Sequence, residues 1–262
     1  MLSNTDIIKE LNKNIFIYPL TEDNIRGSTV NLKASNFAWS LKAKNSIVKC
    51  ENSEKWVEIP PHDTGLIETE EVIYTTSKIS GTYHSKVKLV SNGLGHIGTT
   101  LDPTWCGNSL IAVHNFSDFP YKIKVGETFV SIIFYYLRTS TTKCNTNPAG
   151  QTEVLKELGI TSDLIPCELE SEWRKDPGQI VKRCMQPEEQ KKIESLRKEF
   201  GRPFWKSKLF LLFAQLVLII VIGCIIWHFD KKGEILKWYL VAGLSGIISS
   251  YSMAFINLIS EN

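Results

Sequence analysis

The stretch Gly93–Asn115, GLGHIGTTLDPTWCGNSLIAVHN, decides how this chain reads. Ile97, Thr99 and Leu101 alternate toward a turn, Asp102-Pro103-Thr104-Trp105-Cys106-Gly107, and Leu110, Ala112 and Val113 lie on the return. Asp102-Pro103 favours a turn, and Gly107 tolerates a backbone conformation that a side chain opposes. The pattern predicts a β-hairpin with a carboxylate and an indole at its tip. Such a tip can bind a polar, ring-bearing ligand or be a solvated turn, and the local pattern leaves both open.

Upstream, Ser3 can cap a helix over residues 4–12, with Asp6 at its positive end and Ile7, Ile8 and Leu11 facing inward. Short strands follow at Thr29–Lys33, Phe37–Leu41, Ser46–Cys50, Lys55–Ile59, Gly65–Glu68, Val72–Thr76 and Lys86–Val90. Beyond the hairpin, Tyr121–Val125 and Thr128–Leu137 flank a Gly126-Glu127 turn. Short strands at this spacing predict an all-β barrel or sandwich ending near Leu137.

After Leu137 the character changes. Residues 138–150 are polar and read as a loop, Gln151–Leu158 as a short helix closed by Gly159, and Pro166–Gly178 as a linker. Pro187 starts a helix to about Phe200, with Glu188/Lys192 and Glu194/Lys198 at i,i+4 spacing. Its thin apolar stripe (Ile193, Leu196, Phe200) predicts a solvated stalk or a weak coiled-coil turn feeding the first span. Leu209–Phe229 and Trp238–Ile259 carry no formal charge. At about 1.5 Å per residue, each is long enough to span a hydrocarbon core of roughly 30 Å. The expected plan is a β-barrel domain (1–140), an arm with a short helix and linker (141–186), a juxtamembrane helix (187–208) and transmembrane helices at 209–229 and 238–259.

Lys191, Lys192, Arg197, Lys198, Arg202, Lys206 and Lys208 precede the first span, whereas the loop 230–237 holds only Lys231, Lys232 and Lys237. The positive-inside rule then keeps the N-terminal domain and the C-terminus cytoplasmic, in an inner or plasma membrane crossed twice. MLSNTDIIKELNKN lacks the apolar core of a signal peptide. Ala242, Gly246 and Ser250 recur at four-residue steps and would let the second span approach another helix closely. With 30 basic and 28 acidic side chains, no overall field points to nucleic acid. Six cysteines without a CxxC pair read as free thiols, and the Cys/His spacing predicts no metal site. His96 and His114 flank the hairpin and read as hydrogen-bonded barrel residues before catalytic ones.

MLSNTDIIKELNKNIFIYPL (1–20), IRGSTVNLKA (25–34), TTLDPTWCG (99–107) and VGETFVSIIF (125–134) together resemble the dCTP deaminase/dUTPase superfamily over about residues 1–140. The resemblance implies a mainly β fold, a distorted, jelly-roll-like β-barrel, assembled as a homotrimer with sites shared between subunits. It also implies which side chains matter. Asn31 stands where the family has a barrel aspartate. In YHSKVKLV (83–90), Ser85 is retained from the phosphate-binding motif, His84 and Leu89 replace its two arginines, and Lys86 replaces its second serine. Lys86 and Lys88 could offer point charges in place of the lost guanidinium forks. Asp102 matches the carboxylate that orients water in dUTPases, and Trp105 the aromatic near the sugar. Ala112 falls at the general-base glutamate of deaminases, and Ser131 at the glutamine of the fourth motif. An alanine cannot shuttle a proton.

The expected function is therefore a membrane-anchored nucleotide sensor whose ligand touches Ser85, Lys86, Lys88, Asp102 and Trp105, with no resident cofactor. A nucleotide-sensing domain on two spans is similar in architecture to anti-phage effectors that act on the inner membrane. The alternatives are a tethered dCTP deaminase or dUTP diphosphatase, using Asp102 with Mg²⁺ on the triphosphate, and a scaffold with no small ligand.

Overall fold

The computed structural model describes residues 1–95, 98–143 and 152–200, together with Val217, Ile220 and Val221. The chain divides into two compact units, Met1–Gly201 and Arg202–Asn262. The two expected spans lie, apart from those three helical residues, outside the described residues. Among the described residues no helix is long and apolar enough to cross a membrane.

The first unit is mainly β. Its strands are β1 (Ile15–Tyr18), β2 (Ile25–Arg26), β3 (Thr29–Ser40), β4 (Val48–Glu51), β5 (Glu54–Ile59), β6 (Thr64–Thr69), β7 (Val72–Thr75) and β8 (Ile79–Ser85). They continue with β9 (Leu94–Gly95), β10 (Thr100–Leu101), β11 (Cys106–Gly107), β12 (Leu110–Asn115), β13 (Tyr121–Lys124) and β14 (Thr128–Tyr136). An eight-stranded sheet runs β10-β8-β14-β3-β6-β12-β9, with β2 on β3. Two three-stranded sheets, β1-β7-β11 and β13-β5-β4, complete a curled half-barrel in which these strand pairs are antiparallel. Alternation explains the core. Val30, Leu32, Ile67, Ile111, Val113, Val130, Ile132 and Phe134 point to one side and are buried together.

Helix α1 (Asn4–Glu10) has the expected cap. Ser3 Oγ accepts from Asp6 N–H, and the Asp6 carboxylate accepts from Ser3 N–H in return. The two segments expected at 29–33 and 37–41 are one strand, β3, bent by a register shift between Ala34 and Ala38.

Residues 79–90 reverse the expectation. Ile79–Ser85 is strand, and the predicted strand at Lys86–Val90 is a single helical turn, α2 (Val87–Val90). Gly81 hides β8 from a hydropathy reading, yet a Cβ there would stand 2.9 Å from Ile133 O, so the close β8–β14 approach requires glycine. Val87 and Val90 are exposed while Leu89 is buried, which suits a helical turn and not an alternating strand.

The segment beyond the barrel is no free linker. Helices α3 (Thr152–Glu157), α4 (Glu172–Lys175) and α5 (Pro177–Cys184) fold it back over the sheets, and Gly159 closes α3 at φ 87°. Leu155, Ile160, Ile165 and Leu169 are buried on Phe37, Trp39 and Leu66. The helix α6 (Pro187–Phe200) is not a solvated stalk either. Ile193 and Leu196 join the main core, and Arg197 donates to Leu11 O at 2.8 Å. Glu189 accepts from Leu20 N–H at 3.0 Å while Lys192 donates to Leu20 O at 3.0 Å. A stripe of two residues suffices because these bonds reach past it.

Candidate functional site

The tip of the central stretch is a tight turn. Trp105 N–H donates to Asp102 O at 3.1 Å, and Thr104 takes φ 64° where a glycine would be at ease. Its two arms pair with each other only at the base, where Gly95 lies opposite His114 and Leu94 opposite Asn115; nearer the tip they part and the expected hairpin opens. β10 pairs with β8, β11 with β7, and β12 with β6 and β9. The tip therefore joins separate sheets and is held from both sides. The Trp105 ring is buried in the core, its indole N–H donating to Gly107 O at 3.2 Å. One edge borders a cavity of about 130 Å³ lined also by Tyr83, Thr99, Thr100, Leu101 and Ser109. The Tyr83 hydroxyl meets Ser109 Oγ at 2.5 Å, and burial, against that bond and with the charges of Glu68 and Asp102, keeps it protonated well above the usual phenol range. Asp102 is exposed beside this cavity, its Oδ1 accepting from Thr100 Oγ1 at 3.3 Å.

The phosphate-motif residues sit at the other end of β8. Ser85 closes the strand and Lys86 precedes α2. Lys86 Nζ donates to Thr128 Oγ1 at 2.6 Å, and burial lowers its pKa. Lys88 is exposed and paired with Glu127 at 3.1 Å, the bond raising its pKa. Leu101 lies opposite Gly81, so about 13 Å of strand separates the turn from Ser85 at ~3.3 Å per residue. Within one chain the two halves of the expected site are thus apart. Asn31 and Ser131 face each other on β3 and β14, with Ser131 Oγ donating to Asn31 Oδ1 at 2.8 Å, and His84 lies opposite Ser131 on β8. His114 Nδ1 and Thr64 Oγ1 are 2.8 Å apart, a satisfied barrel histidine; His96 lies outside the described residues. Among the described residues no three His, Cys, Asp or Glu side chains are grouped as metal ligands.

Ala112 occupies the opposite face of β12 from the main core. Leu66 is its partner on β6, Leu110 is its neighbour, and all three pack in the apolar cluster that Leu155, Ile160, Ile165 and Leu169 cover. Two pairs along the same two strands, Leu110 lies opposite Glu68. Glu68 is fully buried, and burial outweighs the nearby Arg174 charge to push its carboxyl up to about 8. Arg174, on α4, donates from Nη1 to Asn108 Oδ1 at 2.6 Å. Asn108 in turn donates to Thr69 O at 2.7 Å, tying the central stretch to the end of β6. Glu68, Asn108 and Arg174 escaped sequence reasoning. A glutamate inside a strand otherwise built of core residues was the one available signal.

These features coincide with what the chain is similar to. Residues 1–137 match the family model described as dCTP deaminase-like, and the chain belongs to that family. A dCTP deaminase of Pyrococcus horikoshii is 28% identical over 128 residues, covering 49% of this chain and 80% of the relative. A probable deoxyuridine 5'-triphosphate nucleotidohydrolase of Sulfolobus islandicus rod-shaped virus 1 is 32% identical over 139 residues, covering 51% and 82%. Among solved structures, a 2'-deoxycytidine 5'-triphosphate deaminase from Agrobacterium tumefaciens superposes with a TM-score of 0.41 at 10% identity, over 51% of this chain and 45% of that one.

Proposed function

We propose that this chain is a membrane-anchored, homotrimeric nucleotide-binding protein whose dCTP deaminase-like domain senses its ligand without converting it. One observation carries the reading. Ala112, where a deaminase of this family needs a carboxylate, is half-buried against an apolar cluster that the segment 152–169 supplies, and an alanine provides no base there. The cavity beside Trp105, Tyr83 and Ser109 offers the ligand a small polar-lined recess, and Ser85, Lys86 and Lys88 offer a phosphate their hydroxyl and point charges. Tyr83 of that recess is two residues from Ser85, while the turn of Asp102 and Trp105 lies about 13 Å along β8 from it, and a neighbouring subunit would complete a ligand site spanning that length. The anchor rests on the two uncharged runs, and a role as a defence effector on the architecture alone.

The placement of Glu68, two residues along β6 from Ala112's partner Leu66, favours a second reading in which a tethered dCTP deaminase or dUTP diphosphatase keeps a displaced carboxyl. A thermal-shift screen of the full chain against deoxynucleotides, ribonucleotides and cyclic dinucleotides, with product analysis of each hit, separates the two. A stabilising ligand recovered intact supports the sensor. Recovery of dUMP or a deaminated nucleotide sinks it and leaves the enzyme.

A further inference from the structure

The return arm of the central stretch, Trp105 to Ser109, works on two sides at once. Alternation sends Trp105 and Ser109 to the recess beside Tyr83, and Cys106 and Asn108 to helix α4. Cys106 Sγ donates to Arg174 O at 3.8 Å, and Asn108 Oδ1 accepts from Arg174 Nη1 at 2.6 Å. Asn108 is also fixed from behind. Its Nδ2 donates to Thr69 O at 2.7 Å and reaches Glu70 O and Glu71 O, each at 3.4 Å. Thr69 grips the next residue, its Oγ1 accepting from Ser109 N–H at 3.0 Å and its own N–H donating to Ser109 O at 2.9 Å. Ser109 Oγ then meets the Tyr83 hydroxyl in the recess. A hydrogen-bonded chain of Tyr83, Ser109, Thr69, Asn108 and Arg174 therefore joins the recess to α4, and its first four members are buried. Buried and matched in this way, such a chain holds its members in one arrangement.

The element at the far end of that chain cannot stand by itself. Helix α4 has four residues, too few to be stable alone, and its N-cap Ser171 makes no side-chain cap bond. Its position depends on Arg174 and on Trp173, whose ring meets Arg174 at 4.8 Å, Arg183 of α5 at 4.0 Å and the Tyr18 ring edge-on at 5.9 Å. Helix α5 packs on β1 and β7, and two residues later the chain continues as α6. We propose that the return arm couples the recess to α4 and α5: a nucleotide filling the recess steadies Trp105 and Ser109, and through Cys106 and Asn108 tightens α4 and α5 on the barrel. The proposal rests on the nucleotide-binding reading and adds its output. Linkage makes the effect mutual, so docking of α4 raises affinity in the recess by the factor that the ligand adds to docking. The cover 152–169 packs instead on Phe37, Trp39 and Leu66 and serves as an internal reference.

Hydrogen–deuterium exchange on the full chain, with dCTP, dATP, dGTP and dUTP as probes, reads the coupling directly. The probe that raises the melting temperature is expected to slow exchange of amides in 172–184 about fivefold or more, the lower end of ordinary coupling between sites, with a smaller change in 152–169. Arg174→Ala unfastens α4 without touching the recess and should weaken that probe by about the same factor. A merely structural Arg174 would leave affinity as it was, and that result overturns the proposal. Should Arg174→Ala not fold, Arg174→Lys, which keeps the charge and loses the fork, is read by the same criteria. A probe that binds while 172–184 exchanges as before, or that slows 152–169 equally, also overturns the coupling and leaves nucleotide binding standing. Ser109→Ala supplies an arm that needs no ligand. It loosens the recess side alone and should speed 172–184 more than 152–169; equal or absent effects overturn the coupling whatever binds. If no probe binds, the nucleotide reading fails, and Ser109→Ala still decides whether the recess and α4 are linked.

Discussion

The two faces of β12 were built by different parts of the chain. Ile111 and Val113 turn toward the main core, where neighbours from β3, β6 and β14 meet them. Leu110 and Ala112 turn the other way and meet Leu155, Ile160 and Ile165, which arrive from beyond the barrel. The first face is a barrel burying itself. The second is a barrel covered by the segment 152–169, and Ala112, the position that the resemblance matches to a deaminase's general base, lies half-buried on it.

The sharpest way to break this comparison is to remove the residue that joins barrel to cover. Trp39→Ala deletes a fully buried ring and its bond to Leu164, and should cost about 3–5 kcal/mol in denaturant unfolding. A loss under ~1 kcal/mol would mean the cover is loosely attached. Glu68 supplies a test by pH. Its ordinary value is 4.5 and burial raises it to about 8, so between those limits the folded chain holds a proton that the unfolded chain has released. Stability should be full below about pH 4.5, fall on the way to about pH 8 and level off above, by an amount on the order of a few kcal/mol. Glu71, pushed up to about 7 by burial, acts in the same direction. Thermal melts of Glu68→Gln across this window should show a shallower fall; an unaltered fall would remove Glu68 as its source. Ser3→Ala tests the barrel alone, breaking the capping box of α1 for about 1 kcal/mol with no change in the exchange of 152–184. Smallest of all, Lys88→Ala should leave the melting temperature unchanged, since its pair with Glu127 is exposed, while lowering affinity for any ligand carrying a phosphate. Equal affinity would take Lys88 out of the site.

The barrel face was legible because alternation and turn residues write it locally: β5, β6, β7, β12, β13 and β14 all lie within a residue or two of expectation. What the sequence hid has physical causes. Gly81 reads as a strand breaker until the proximity of Ile133 O is known, and the valines of α2 imitate a strand because their exposure is a tertiary fact. The cover escaped notice because Leu155, Ile160, Ile165 and Leu169 are too scattered to show a period, and only the sheet beneath them reveals why they are apolar. For the site, the motif letters could be aligned, but nothing in them placed Asp102 and Trp105 at one end of β8 and Ser85 at the other. Nor could spacing bring Glu68, Asn108 and Arg174 together across more than a hundred residues.

Helix α6 has a mechanical consequence. The chain leaves the first unit at its end, and that end is fastened to the opening of the same unit by Arg197 at Leu11 O and Lys192 at Leu20 O. Tension applied at Phe200 would load those two bonds and the Ile193–Leu196 contact before any strand ladder carried force. The unit would give way by peeling its last helix from its first, a soft element in series with a stiff barrel. A pull at Phe200 therefore strains that seam first, whereas a pull at Met1 would load β14 directly, because Leu2 N–H donates to Phe134 O at 2.8 Å.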